Sequence, residues 1–288
     1  MSLINCSSPV VTTDWLHKNL AAENLVILDA SVPPIVEFTS TRVPEEIAGR
    51  AIPGARRFDY DTQVCDRQSS YPHMMPTAAE FANQASMLGI DNNSAIVIYD
   101  ITGVYASPRA WWMFKAMGHD NVAVLDGGLP AWHLAGLPLA ETHEEVEHKG
   151  NFAASAVHEK FCDAITLFQL LNDQSCLVLD ARSTGRFIGR DPEPRKNLRS
   201  GHMPNAKNLP FQEVLNDIYL RPVDELVELF SNFAATEKKL AFTCGSGLSA
   251  CILTLAANLA GYDDLTVYDA SWCEWGAPSK LPVVTGAQ

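Results

Sequence analysis

The 288-residue chain contains no C-x-x-C pair and no fixed His/Cys spacing, so nothing in it reads as a zinc site. It has no apolar run approaching the ~18 residues needed to span a bilayer. It also lacks basic charge, with 21 Lys and Arg against 34 Asp and Glu, a net charge of −13. A field of that sign repels phosphate backbones and anionic lipid, so neither nucleic acid nor a membrane surface is expected as a partner. Residues Met1 to Trp15 show no basic n-region followed by an apolar h-region, so no secretory signal is expected. Seven cysteines are present (6, 65, 162, 176, 244, 251 and 273), an odd number at long, irregular spacings. That argues against a disulfide framework and for a reducing compartment, the cytoplasm. With 47% hydrophobic and 19% charged residues, the chain has the composition of a globular protein.

The chain repeats itself. Leu25-Val26-Ile27-Leu28-Asp29-Ala30 returns as Cys176-Leu177-Val178-Leu179-Asp180-Ala181, and Ile52-Pro53-Gly54-Ala55 returns as Met203-Pro204-Asn205-Ala206, both at an offset of 151. Ile96 to Asp100 matches Leu240 to Cys244 at an offset of 144. Leu125-Asp126-Gly127-Gly128 with Trp132 matches Tyr268-Asp269-Ala270-Ser271 with Trp275 at an offset of 143, which Gly118 and Gly261 share. An ordered series of matches means two copies of one domain. The first copy is seven residues longer between the second and third landmarks, which places a long loop within Phe58–Pro76. The expected division is an N-terminal domain over 1–140, a polar linker over 141–157 whose histidines (143 and 148, with 158 beside them) are solvated, and a C-terminal domain over 158–288.

Short Val/Ile/Leu runs at 25–28, 96–99, 122–125, 177–179, 240–243 and 265–268 predict buried parallel strands. Helical patterns alternate with them at 13–20, 78–88, 223–233 and 250–259. Thr12 or Thr13, Ser107 (before Pro108) and Ser249 are candidate N-caps, and Gly118 and Gly261 are candidate C-terminal stops. The expected fold class is α/β, with two tandem domains that each hold a mainly parallel sheet flanked by helices. Trp132 and Trp275, at matching positions, are expected in the two cores.

Chemistry concentrates at Cys244-Gly245-Ser246-Gly247-Leu248-Ser249. A buried strand ends at Cys244, two glycines let the backbone curl, and an apolar helix follows. The carboxyl end of a strand in a parallel sheet is where ligands bind. Converging loop N–H groups backed by a helix terminus favour a thiolate over a thiol. The first copy carries Asp100 at this position and cannot supply a thiol, so one domain reads as active and the other as scaffold. The other six cysteines read as buried thiols.

Taken together, the tandem repeat, Asp100, the Cys244-Gly245-Ser246-Gly247 loop, Ser107 to Trp112, Leu125 to Gly128 and Ser271 to Trp275 resemble the two-domain rhodanese superfamily, and within it the 3-mercaptopyruvate sulfurtransferases. Thiosulfate-using members typically carry basic residues at the two positions after the cysteine, where this chain has Gly245 and Ser246. Leu248-Ser249 departs from the usual Val-Thr or Thr-Thr. The resemblance implies that Cys244 is the nucleophile, that the loop Gly245 to Ser249 stabilises a persulfide, and that Arg186 and Arg195 bind the carboxylate and keto oxygen of the substrate. The residue reading of that arginine-rich stretch alone is a solvated loop ion-paired to Asp191 and Glu193. Asp61, His73 and Ser246 carry over as an acting group. The alternatives are that His73 packs under a lid and that Ser246 serves only its own loop. The implied reaction moves sulfur from 3-mercaptopyruvate to a thiol (thioredoxin or a small thiol) or to cyanide, releases pyruvate, and uses no metal or organic cofactor. Thiosulfate sulfurtransfer and a persulfide relay are the alternatives. A cysteine phosphatase would need an arginine where Ala250 stands.

Overall fold

The computed structural model describes residues 3–35 and 44–287. The chain forms two compact units that do not follow the repeat boundary. Unit 1 takes the chain up to Arg67, Met75–Val157 and Asn216–Leu220; unit 2 takes Gln68–Met74, His158–Leu215 and Arg221 onward. A seven-residue piece of the first copy's long loop therefore packs with the second copy. No helix among the described residues is long and apolar enough to cross a membrane.

Unit 1 runs β1 (Val10–Val11), α1 (Thr13–Asn19), β2 (Leu25–Asp29), β3 (Ala55–Arg57), α2 (Ala78–Met87), β4 (Ala95–Tyr99), α3 (Ser107–Ala116), β5 (Val122–Leu125) and α4 (Gly128–Leu134). Its five strands lie in the order β1-β5-β4-β2-β3, all parallel. Unit 2 contains β6 (Phe161–Cys162), α5 (Ala164–Leu170), β7 (Cys176–Asp180), α6 (Thr184–Phe187) and β8 (Lys207–Asn208). Next in the chain are β9 (Leu215–Asn216) and β10 (Tyr219–Leu220), which pair only with each other; Asn216–Leu220 belongs to unit 1. Then come α7 (Val223–Ser231), β11 (Lys239–Thr243), α8 (Ser249–Leu259), β12 (Leu265–Tyr268) and α9 (Ser271–Trp275). Its sheet order, β6-β12-β11-β7-β8, is again all parallel and reproduces the first topology strand for strand.

The apolar runs become strands because both faces of each sheet are covered. All five residues of β4 are buried, as are the last four of β11. Trp132 and Trp275 are fully buried, and each indole donates to a proline carbonyl, Pro138 at 2.7 Å and Pro282 at 2.8 Å. Burying a tryptophan is favourable only when its N–H finds such a partner. Gly118 and Gly261 adopt left-handed φ values of 78° and 91° at the ends of α3 and α8, where a side chain would be strained.

Three local expectations change. Thr12 caps α1 by accepting from the Trp15 N–H at 3.1 Å, but Ser107 and Ser249 are the first helical residues, with Ala106 and Leu248 in the capping positions and no side-chain cap bond. Residues 141–157 lie along unit 1, through bonds from Glu144 N–H to Ala55, Gly150 N–H to Ser86, Phe152 N–H to Ile90 and Val157 N–H to Ala116 carbonyls. His143 is not solvated: its Nε2 lies 2.8 Å from a carboxylate oxygen of buried Asp29.

Candidate active site

Cys244 follows β11 directly and is 2% exposed. Its backbone is clamped from below by the start of α9. The Cys244 N–H donates to Ser271 Oγ at 3.1 Å, the Trp272 N–H donates to the Cys244 carbonyl at 3.0 Å, and the Cys273 N–H donates to the Gly245 carbonyl at 2.9 Å. Ser271 holds a left-handed φ of 50°, unusual for a residue with a side chain. Its hydroxyl repays that strain by donating to the Tyr268 carbonyl at 2.8 Å while accepting from Cys244. The motif at 268–275 thus seats the loop that carries the thiol.

Gly247 takes a left-handed φ of 76°, which turns the loop back over Cys244. The N–H groups of Ser246, Leu248, Ser249 and Ala250 are given to no acceptor among the described residues, whereas the Cys251 N–H is used by the Leu248 carbonyl at 3.0 Å. Four donors thus remain for an anion at the Cys244 sulfur. Ser246 is buried, with no hydrogen bond among the described residues, so its hydroxyl is free to serve a bound group.

The arginines form a graded set. Arg182 is fully buried between Asp180, at 2.6 Å, and Glu193, at 2.8 Å, with its guanidinium carbon 3.8 Å from the Trp272 ring centre. Burial alone would lower its proton affinity, but the two carboxylates more than reverse this, so it stays charged as a core strut. Arg186 is mostly buried and donates to the other Glu193 oxygen at 2.5 Å and 3.2 Å. Arg195 is half-buried and makes no hydrogen bond or ion pair among the described residues. Both reach the Cys244 loop. A Cβ placed on Gly245 would lie 3.2 Å from Arg186 Nη2 and 3.7 Å from Arg195 Nη1. Two forked cations thus lie beside the Cys244 loop, one half-neutralised and one not, the arrangement that receives a carboxylate. The expected partner Asp191 instead pairs with Arg190 on the surface at 2.9 Å.

This arrangement recurs in known proteins. The rhodanese-like domain family matches residues 12–135 and again residues 164–278. The chain belongs to the rhodanese family. A curated relative, "Thiosulfate/3-mercaptopyruvate sulfurtransferase 1, mitochondrial" of Arabidopsis thaliana, is 37% identical, covering 98% of this chain and 79% of that one. The 3-mercaptopyruvate sulfurtransferase of Escherichia coli is 32% identical over 95% of this chain and 96% of its own. The crystal structure of SseA from Escherichia coli superposes with a TM-score of 0.79 at 30% identity, covering 92% of this chain and 99% of that one. The tandem α/β expectation therefore holds for this member of the family.

The remaining expected residues are spread over both units. His73 is in unit 2, buried, with a left-handed φ of 62°, on the segment whose Tyr71 and Met74 pack against the unit 2 core. Asp61 is in unit 1, on an exposed turn where its N–H donates to Asp59 at 3.0 Å. Glu193 and Ser271 touch the Cys244 loop or its arginines, and the sequence did not assign either a place there. The Pro-Glu-Pro-Arg stretch offered a signal for Glu193, since a carboxylate between arginines is placed to order them. Ser271 gave none, because its backbone angle is not written in its residue type. No cluster of His, Cys, Asp and Glu that could hold a metal ion occurs among the described residues.

Proposed function

We propose that this rhodanese is a 3-mercaptopyruvate sulfurtransferase acting through a Cys244 persulfide. The observation that carries this reading is the pair Arg186 and Arg195 lying against Gly245, the residue beside the nucleophile. Two guanidinium forks suit the planar carboxylate and keto oxygen of an α-keto acid. A basic side chain at 245, as in thiosulfate-using members, would occupy the space those forks hold. The name of the Escherichia coli relative points the same way.

In this reading Arg195 supplies the unpaired charge, and Arg186, aimed by Glu193, supplies direction. The Cys244 thiolate attacks the substrate sulfur. The carbon–sulfur bond breaks, its electron pair leaves as pyruvate enolate, and a proton comes from Ser246, His73 or water. The persulfide is held by the N–H groups of Ser246, Leu248, Ser249 and Ala250. A thiol, such as thioredoxin or a small thiol, or cyanide then removes the outer sulfur, giving two half-reactions and ping-pong kinetics. The seven free cysteines suit a reducing compartment such as the cytoplasm.

The test supplies 3-mercaptopyruvate or thiosulfate without an acceptor and follows pyruvate and the sulfur content of the Cys244 peptide through the first turnover. Pyruvate and an added sulfur with mercaptopyruvate, with little reaction from thiosulfate, is the expected result. Sulfur gained only from thiosulfate would overturn the donor assignment, a reading that the double name of the Arabidopsis relative keeps in view.

A further inference from the structure

A second thiol lies within electrostatic reach of the groups around Cys244. Cys273 is buried and free, in the first turn of α9, and its own N–H is bonded to the Gly245 carbonyl one residue from Cys244. With the Trp272 N–H on the Cys244 carbonyl, two successive backbone bonds hold residues 272–273 in register with 244–245. The charges that act on the Cys273 sulfur are those of the pocket: Arg195, Cys244, Glu193 and Arg186. Tyr71, on the segment contributed by the first copy, lies close enough for its phenol to feel Cys273 as well.

We infer that Cys273 is a resolving thiol that discharges the Cys244 persulfide when no external acceptor arrives. The inference rests on the persulfide reading of the previous subsection. The Cys273 sulfur attacks the inner sulfur of Cys244-S-SH. The bond between inner and outer sulfur breaks, and its electron pair leaves on the outer sulfur. The Cys273 proton goes with it, so hydrogen sulfide departs and a Cys244–Cys273 disulfide remains. The two protein sulfurs are oxidised by the sulfane sulfur that mercaptopyruvate delivered, so no other oxidant enters. An external dithiol then restores both thiols by exchange.

The pocket also explains why such a step would not outrun normal transfer. Burial, opposed by Arg195 and helped by the charge on Cys244, pushes the Cys273 thiol up to about 11. It is protonated at neutral pH, and only the rare thiolate attacks. The backbone bonds that hold residues 272–273 against 244–245 keep the two thiols on adjoining segments, which offsets that scarcity when no acceptor is bound. A slow internal discharge behind a fast external one is the result.

The experiment treats the full chain with 3-mercaptopyruvate, removes excess donor and all thiols, and follows intact mass, sulfide and the non-reduced peptide map. The expected result is an added sulfur that decays as about one equivalent of sulfide per chain appears. The product is two hydrogens lighter than the starting protein, with the Cys244 and Cys273 peptides joined until dithiothreitol separates them. Cys273→Ser and Cys273→Val should each retain the added sulfur and release no comparable sulfide. A wild-type protein that holds its added sulfur as long as the two variants, with no joined peptide, would overturn the inference. If neither wild type nor variants gain sulfur or release pyruvate, the persulfide reading itself fails and this inference falls with it.

Discussion

The loop after β4 and the loop after β11 leave equivalent strands of the same sheet topology, yet one is closed on itself and the other is open. In unit 1 the Asp100 carboxylate fills its own loop. One oxygen accepts from the N–H groups of Tyr105, Ala106 and Ser107 at 3.0, 2.8 and 2.8 Å and from the Ser107 hydroxyl at 2.7 Å. The other accepts from the N–H and hydroxyl of Thr102 at 3.0 and 2.7 Å. At the 144-residue offset the corresponding N–H groups are those of Ser249, Ala250, Cys251 and Ser246, and three of these four remain unused among the described residues. The first copy thus displays, with a built-in anion, what the second can do for a bound one. The seat beneath the loops is shared: Leu129 N–H bonds to the Asp100 carbonyl at 3.0 Å as Trp272 N–H bonds to that of Cys244. Gly128, with φ of 53°, stands where Ser271 holds 50°. A Cβ on Gly128 would sit 2.3 Å from the Asp100 carbonyl oxygen, so unit 1 keeps glycine there. What separates the two loops is therefore the group that fills the donors, while the sheet beneath is the same.

Exchanging the occupants tests this most severely. Cys244→Ser should lower turnover by on the order of 10³-fold or more, because the covalent step has no other nucleophile. Cys244→Asp should be equally inactive yet at least as resistant to denaturation as Cys244→Ser, since its carboxylate can take the free N–H groups; a clear loss of stability relative to serine would break the comparison. In the other direction, Asp100→Ala leaves several buried N–H groups without an acceptor and should cost about 2–4 kcal/mol in urea unfolding. Asp100→Cys should gain no sulfur from mercaptopyruvate, because the 151-residue offset puts Ile35 where unit 2 has Arg186. On the substrate side, Arg195→Ala should reduce kcat/KM for mercaptopyruvate by about 10–100-fold. Arg186→Ala should cost less, because Glu193 already balances part of its charge. Equal effects would show that Glu193 does not grade the pair.

The smallest effect is a pH dependence that belongs to unit 1. Burial would raise the Asp29 carboxyl, but hydrogen bonds from His143 and Ser31, with the charge of Arg57, hold it below the usual range. A lowered folded value means its stabilisation is complete above the ordinary carboxylate value of about 4 and is lost as pH falls below it. Asp29→Asn should flatten the acid side of the stability profile, seen as a smaller loss of stability between about pH 5 and 3 in urea unfolding. The counterpart, Asp180, is paired with Arg182 instead.

Reading the repeat from sequence worked because it depends on local patterns. The apolar runs predicted all six long strands, and a cysteine at a strand end before two glycines marked the loop proposed to carry the chemistry. The cap assignments failed at Ser107 and Ser249 for one reason: both loops need helical N–H groups to point inward, so the helix starts at the serine and not after it. His143 was read as solvated because its partner, Asp29, is 114 residues away. Arg186 and Arg195 stood out only through family resemblance, since spacing alone reads equally well as a solvated loop.

The amino-acid sequence by itself determined the duplication, the strand and helix alternation and the placing of Cys244 at a strand end, because each is written within a few residues by polarity, period and glycine placement. Tertiary structure decided the rest. It sent residues 68–74 to the other copy's unit, placed Glu193 between two arginines, and brought Cys273 beneath Gly245. These depend on contacts between residues far apart in the chain, and no local pattern records which distant group will fill a hydrogen bond or balance a charge.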